Sequence, residues 1–129
     1  MASIPASHAD LLTGVVALTT VGSDGYPQVT AVTARLESDG NLHTSVNDAR
    51  QKYRNVVAHP RATVFVIDPA DPYRTIEVRA DVELIPDTDK SWTKVFLPGF
   101  DVDAVDGPAS RYHMVLTPVK VNAVSPGAW

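Results

Sequence analysis

Cysteine is absent from this chain of 129 residues, which excludes disulfides, thiolate metal ligands and cysteine nucleophiles. Redox chemistry, if there is any, must then come from a bound cofactor. A chain without thiols suits a reducing compartment, and a cytoplasmic protein is the expectation. Long apolar runs are missing too: nothing approaches the roughly twenty residues that span a bilayer, and residues 1–9 hold no basic segment followed by an apolar stretch. No membrane partner is expected. Basic charge is scarce, with 11 Lys and Arg against 15 Asp and Glu and a formal net charge of -4. With a pI near 5.4 the chain lacks the extended basic face of a nucleic-acid binder, so no nucleic-acid partner is expected. There is no Gly-x-Ser-x-Gly elbow, no P-loop and no Gly-x-Gly-x-x-Gly fingerprint, which sets aside the commonest hydrolase, nucleotidase and Rossmann readings. The four histidines, at 8, 43, 59 and 113, are too scattered for a metal site, and no structural metal is expected.

What is present reads as one domain over residues 1–129, since 44% hydrophobic and 20% charged residues make an ordinary folding mixture. Alternating and β-branched runs, cut by Gly, Pro and Asp-Gly turn signals, predict a mainly β fold of the antiparallel barrel or sandwich kind. A short helix is expected over 6–13 with Ser7 as a cap, then strands Gly14–Val21, Gln28–Glu37 and Leu42–Val46. Ala62–Ile67 is so uniformly apolar that a central strand covered on both faces is expected. Arg74–Ile85 alternates, with Ile76, Val78, Ala80, Val82 and Leu84 inward and Thr75, Glu77, Arg79, Asp81 and Glu83 outward. Asp87 or Thr88 caps a second short helix through Phe96, residues 98–110 form an acidic solvated or lid-like loop, and Arg111–Leu116 and Val119–Val124 supply the last strands around Thr117-Pro118.

The most informative stretch is residues 47–60, where a strand runs into a short helix bearing Arg50, Lys52 and Arg54, with Arg61 just beyond. Four of the eleven basic residues fall within twelve positions of an otherwise acidic chain. Free N–H groups at a helix start, the positive end of its dipole and nearby cations together suit a phosphate. The competing reading is a solvated face, with Tyr53, Val56 and Val57 as the buried stripe. Asn47 is expected as the cap, with Asp48 turned to solvent. A second segment, Pro27 to Thr33, offers small and hydroxylated side chains against which a planar ring could lie, although such residues also suit tight barrel packing. Trp92 and Trp129 are candidates for stacking on a ligand, but a lone tryptophan is more often core or interface.

Three groups of residues then form a pattern: an Asp-Gly-x-Pro-Gln-Val-Thr run at 24–30, Arg50-x-Lys52-x-Arg54-Asn55 before His59-Pro60-Arg61, and Asp71-Pro72-Tyr73-Arg74 leading to Glu77-Val78-Arg79. From about Leu11 to Val124 this resembles the split β-barrel flavin and deazaflavin oxidoreductases, relatives of pyridoxamine 5'-phosphate oxidase, and within them the branch that uses coenzyme F-420. The resemblance implies an α+β, mainly β fold: a six- to seven-stranded antiparallel split barrel with short flanking helices. It implies a homodimer with cofactor sites at the interface, and coenzyme F-420, with FMN as the alternative, as the cofactor. Carried over, Arg50, Lys52 and Asn55 anchor the phosphate, and Gln28, Val29, Thr30 and Ala31 contact the ring. Ser45 meets the linker or phosphate, Tyr53 and Arg54 the charged tail, and Tyr73 and Arg74 come from the facing subunit. No residue matches a dedicated catalytic acid or base, so the implied activity is hydride transfer from the reduced cofactor to an unsaturated small-molecule acceptor. A non-catalytic carrier of F-420, flavin or haem is the rival reading. The chain ends Val124-Ser125-Pro126-Gly127-Ala128-Trp129 where pyridoxamine phosphate oxidases carry an arginine-rich substrate segment, so vitamin B6 oxidation is disfavoured.

Overall fold

The computed structural model describes residues 2–127, so the stacking role weighed for Trp129 lies outside the described residues. Six strands carry the fold: β1 Gly14–Val21, β2 Pro27–Leu36, β3 Leu42–Asn47, β4 Arg61–Asp68, β5 Asp71–Pro86 and β6 Arg111–Val124. Every pairing is antiparallel, and the order β1-β2-β3-β6-β5-β4 closes through β1 and β4 into a barrel. This is the mainly β antiparallel barrel expected from the sequence, with short helices α1 Gln51–Ala58, α2 Ser91–Phe96 and α3 Val102–Asp106 beside it. Alternation fills the interior: Val16, Leu18, Leu42, Val46, Val64, Ile76, Val78, Met114 and Leu116 point inward, and Val56 of α1 packs among them. The hairpin turns follow their side-chain chemistry. Asp24 and Asp39 each accept a hydrogen bond from the N–H two residues on, and Gly25 and Gly40 supply the φ of 81° that their turns require.

Several expectations are corrected. The first helix is a single 3-10 turn, Ala9–Leu12, and Ser7 does not cap it; its hydroxyl meets His8 Nδ1 instead. His8 is buried and its Nε2 lies 2.9 Å from the Val124 carbonyl, which docks the N-terminal segment on the barrel. The last strand is continuous through Thr117-Pro118, because Ala80 pairs with Pro118 and Arg79 with Lys120, leaving Val119 as a bulge that accommodates a residue without an N–H. Thr75 is buried rather than outward. The segment 98–110 is not an open loop: Asp101 caps α3 by accepting from the Ala104 N–H, and Asp106 is buried.

β4 is not covered on both faces. A closed barrel gives each strand one interior face, so Ala62 and Val64 are buried while Phe65 and Ile67 remain 38% and 52% exposed. With Val15 and Val29, which are 71% and 61% exposed, they form an apolar outer face across β2, β1 and β4.

Leu116 is fully buried in the barrel interior, and Leu116→Ala is expected to lower unfolding free energy by roughly 2–5 kcal/mol in urea denaturation. Val95→Ala on the exposed side of α2 serves as control and is expected to change it by less than about 0.5 kcal/mol.

Candidate functional site

β2 pairs with β1 through Pro27 to Ala34, but with β3 only at Arg35 and Leu36. Beyond those two residues the strands diverge, and one edge of β2 is left without a strand partner among the described residues. Which groups that edge presents follows from alternation along the strand. The Leu36 N–H donates to Thr13 on the β1 side, whereas the Thr33 carbonyl accepts from the Thr44 hydroxyl on the β3 side. The backbone groups of Val29 and Ala31 share the direction of Thr33, so their N–H and C=O face the gap. Beside them, Thr30 Oγ1 is buried without a hydrogen-bond partner.

The start of α1 closes the other side of this gap. Gln28 and Thr30 share with Ala49, Arg50, Gln51 and Lys52 a groove of about 410 Å³. Arg50 is the N-cap residue and has no side-chain capping bond, so Asn47 is not the cap; it ends β3, and its Oδ1 accepts from the Ala49 N–H. Asp48 is not loose in solvent either, because its carboxylate accepts from the Ser110 N–H at 3.0 Å. Among the described residues, no carboxylate therefore occupies the helix start. Arg50 and Lys52 form no ion pair with any described residue, and burial, Arg50 and Arg111 together hold the Lys52 ammonium below its ordinary pKa. Crowded, unmatched cations beside free helix N–H groups make a site for an anion. A larger depression of about 660 Å³ lies on the outer wall between β1, β4 and β5, where Arg79 already pairs with Glu77.

The other candidates are placed as follows. Asn55 is 2% exposed, and its amide is fully engaged: it donates to Thr20 and Gln28 and accepts from Gln51. It is an internal strut joining β1, β2 and α1. Tyr53 packs against the core with its ring 4.9 Å from that of Tyr112, and their hydrogen bond pushes the Tyr53 hydroxyl up to about 12. Val57, expected in the buried stripe, is exposed, and Asn55 takes its place beside Val56. Arg54 is exposed and donates to the Ala49 carbonyl and Gln51. Ser45 Oγ is bonded to Thr93 on α2 and accepts from Arg111, away from the groove lining. Arg74 is tied to Asp10, Asp68 and the Ser7 carbonyl, and so clamps the N-terminal segment of its own chain. Tyr73, its neighbour at the start of β5, is 60% exposed. Trp92 stacks on His113 and Phe96 of its own chain.

The barrel that carries this open strand edge and cationic helix start is shared with known proteins. The family model for pyridoxamine 5'-phosphate oxidase matches residues 7–124. The chain belongs to the pyridoxamine 5'-phosphate oxidase family. It is similar to a solved F420 reductase at 32% identity, covering 92% of this chain and 98% of that one with a TM-score of 0.77. An FMN binding protein of Nostoc punctiforme related to pyridoxamine 5'-phosphate oxidase shares the fold at 16% identity, covering 84% of this chain and 72% of that one, TM-score 0.65. So does a heme binding protein from Mycobacterium smegmatis at 19% identity, covering 98% of this chain and 57% of that one, TM-score 0.67. Among curated proteins, none matches this chain.

Sequence reasoning missed the ionic support behind the groove. Arg111 opens β6 opposite Asn47, and both bind Asp106, while Lys90 reaches the same carboxylate at 3.2 Å. The residues lie 64 positions apart at the extremes, and only the register of β3 with β6 brings them together. Burial pushes the Asp106 carboxyl up, but hydrogen bonds from Arg111, Asn47 and Lys90 outweigh it and bring the group down to about 2. Asp106→Ala would leave two cations facing a void, and a loss of roughly 3–5 kcal/mol in denaturant unfolding at neutral pH is expected. Since the folded value lies below the ordinary 3.8, this contribution is complete above that value and is lost as pH falls through about 2. The difference between wild type and variant is therefore expected to shrink on acidification.

Proposed function

We propose that this chain is an F-420-dependent oxidoreductase that works as a homodimer on a small, unsaturated organic acceptor. The observation that carries the reading is the unmatched pair Arg50 and Lys52 at the uncapped start of α1, in one groove with Gln28 and Thr30. The 32% identity to an F420 reductase over nearly the whole of both chains supports the choice of cofactor.

The residues present fit the group. A phosphate is satisfied by the Lys52 ammonium, the Arg50 guanidinium and the first N–H groups of α1. A planar ring bearing alternating N–H and C=O groups along one side is matched by the outward-facing backbone of Val29 and Ala31. Thr30 Oγ1, buried and unpartnered, is the further donor or acceptor that such a ligand would satisfy. Gln28 is held by the Asn55 amide, so Asn55 acts through Gln28 and Gln51 and fixes the distance between the ring-binding strand and the phosphate-binding helix. Arg54 extends the positive surface for an anionic tail. When bound and reduced, the deazaflavin supplies a hydride. The chain's own part is to orient it, exclude water from one side and offer no competing acid or base.

The apolar outer face of Val15, Val29, Phe65 and Ile67 adjoins Ala31, and the second subunit is placed there, which brings two grooves to a common interface. FMN, which also carries a phosphate and a similar ring edge, is the alternative cofactor; a flavin absorption spectrum of the purified protein would reveal it.

Lys52→Ala is expected to weaken F-420 binding by roughly 1.5–3 kcal/mol, about 10- to 150-fold in Kd, through loss of a charge-assisted hydrogen bond. Titration with F-420 and, in parallel, FMN measures it. No saturable binding of F-420, or an unchanged Kd in the variant, would refute the assignment. For the dimer, Phe65→Glu is expected to yield monomers in sedimentation velocity, and a wild-type chain that sediments as a monomer would contradict it.

A further inference from the structure

On the far side of β3 from the barrel interior, three titratable groups stand in line. His43 Nε2 lies 2.9 Å from Asp39 Oδ2, and His43 Nδ1 lies 2.8 Å from His113 Nε2. The indole of Trp92, on α2, covers His113 with ring centroids 3.6 Å apart and planes 12° apart. The stack continues through Phe96, whose ring lies under the Arg35 guanidinium, and Arg35 donates to the Phe96 carbonyl at 2.7 Å. We propose that Asp39, His43, His113 and Trp92 form an acid-operated latch that fastens α2 to the β3–β6 wall and lets go when the histidine pair takes up its second proton.

The pair shares few N–H groups and few bare nitrogens. In the neutral pair, His43 donates from Nε2 to Asp39, and its bare Nδ1 accepts from His113 Nε2. One proton is tolerated: a cationic His43 donates from both nitrogens, to Asp39 and to His113, whose own hydrogen then resides on Nδ1. A second proton leaves an N–H on each of two facing nitrogens 2.8 Å apart, both rings cationic, with no acceptor between them. The contact must open, and with it the base on which Trp92 rests.

The charged surroundings agree. From the β2–β3 connection come Asp39 and Glu37, from the segment before α2 comes Asp87, from β2 comes Arg35, and from β5 Glu83 lies across Val115, the neighbour of His43. Burial and His43 lower the His113 pKa from its ordinary 6.5, and this outweighs the opposing pull of Asp87, Asp39 and Glu37. For a histidine shifted downward the folded state is favoured above the ordinary value, and that advantage is lost as pH falls through the lowered one. The latch therefore holds at neutral pH and opens on the acidic side of 6.5.

The test uses the full chain with Trp129→Phe, so that Trp92 is the one indole. Its emission and near-ultraviolet circular dichroism are followed from neutral to mildly acidic pH, with far-ultraviolet dichroism reporting the fold. A transition centred below 6.5, without loss of the β signal, is expected. His43→Gln removes one of the two rings that must both be cationic, and its side-chain oxygen can accept from a protonated His113, so it is expected to abolish the transition. His113→Phe keeps an aromatic base under Trp92 but has no proton to gain, and is expected to give a flat profile. Emission that does not change with pH in the parent, or a transition that survives unchanged in His113→Phe, would overturn the proposal.

Discussion

β2 has two edges and only one of them is fully paired. Along Pro27 to Ala34 it is bonded to β1, while towards β3 the pairing ends after Arg35 and Leu36. An unpaired strand edge inside a protein is normally avoided, because its N–H and C=O groups need partners and invite another chain. In this barrel the opening is instead a built feature. It sits beside the uncapped start of α1, and the two together present strand donors and acceptors on one side and positive charge on the other.

Much of the rest of the molecule serves to hold that gap open. Asn55 ties Thr20, Gln28 and Gln51 together, so the helix cannot drift from the strands. In the turn before β2, a Cβ added at Gly22 would fall 3.1 Å from Asp24 Oδ1, so glycine eases the approach of that carboxylate. Behind the helix start, Asp106 gathers Arg111, Asn47 and Lys90, which anchors the end of β3 and the start of β6. Such a buried ionic cluster adds little net stability compared with apolar packing, but it fixes geometry because any departure exposes unpaired charge. The barrel supplies cohesion and these polar struts supply position.

The sequence was most legible where one physical signal acts alone. Strand alternation placed β1 to the residue, and the Asp-Gly turn signals marked hairpins that Asp39 and Gly40 indeed form between β2 and β3. The cationic helix stood out against an acidic chain, and the structure indeed leaves Arg50 and Lys52 unmatched by any described carboxylate. Legibility failed where long-range register decides. Asp106 looked like one more solvated acid until β6 brought Arg111 and β3 brought Asn47 to it. His43 and His113 looked isolated at a separation of 70 positions, yet β3 and β6 place them in contact. Apolar content misled in β4, because a uniformly hydrophobic strand was read as doubly covered when half of it lies on an exposed apolar face. Asn55 matched a family pattern, but only the hydrogen bonds reveal that it acts from inside.

The central claim is that the open edge of β2 receives the ring of the cofactor. Amide hydrogen exchange, resolved by residue, tests it most directly. In the free protein the Val29 and Ala31 amides are predicted to exchange fast while Thr30 and Val32, bonded towards β1, are protected. Saturation with F-420 is predicted to slow Val29 and Ala31 and leave the other two unchanged. Protection of Val29 and Ala31 before any cofactor is added, or no change in either on saturation, would contradict the account.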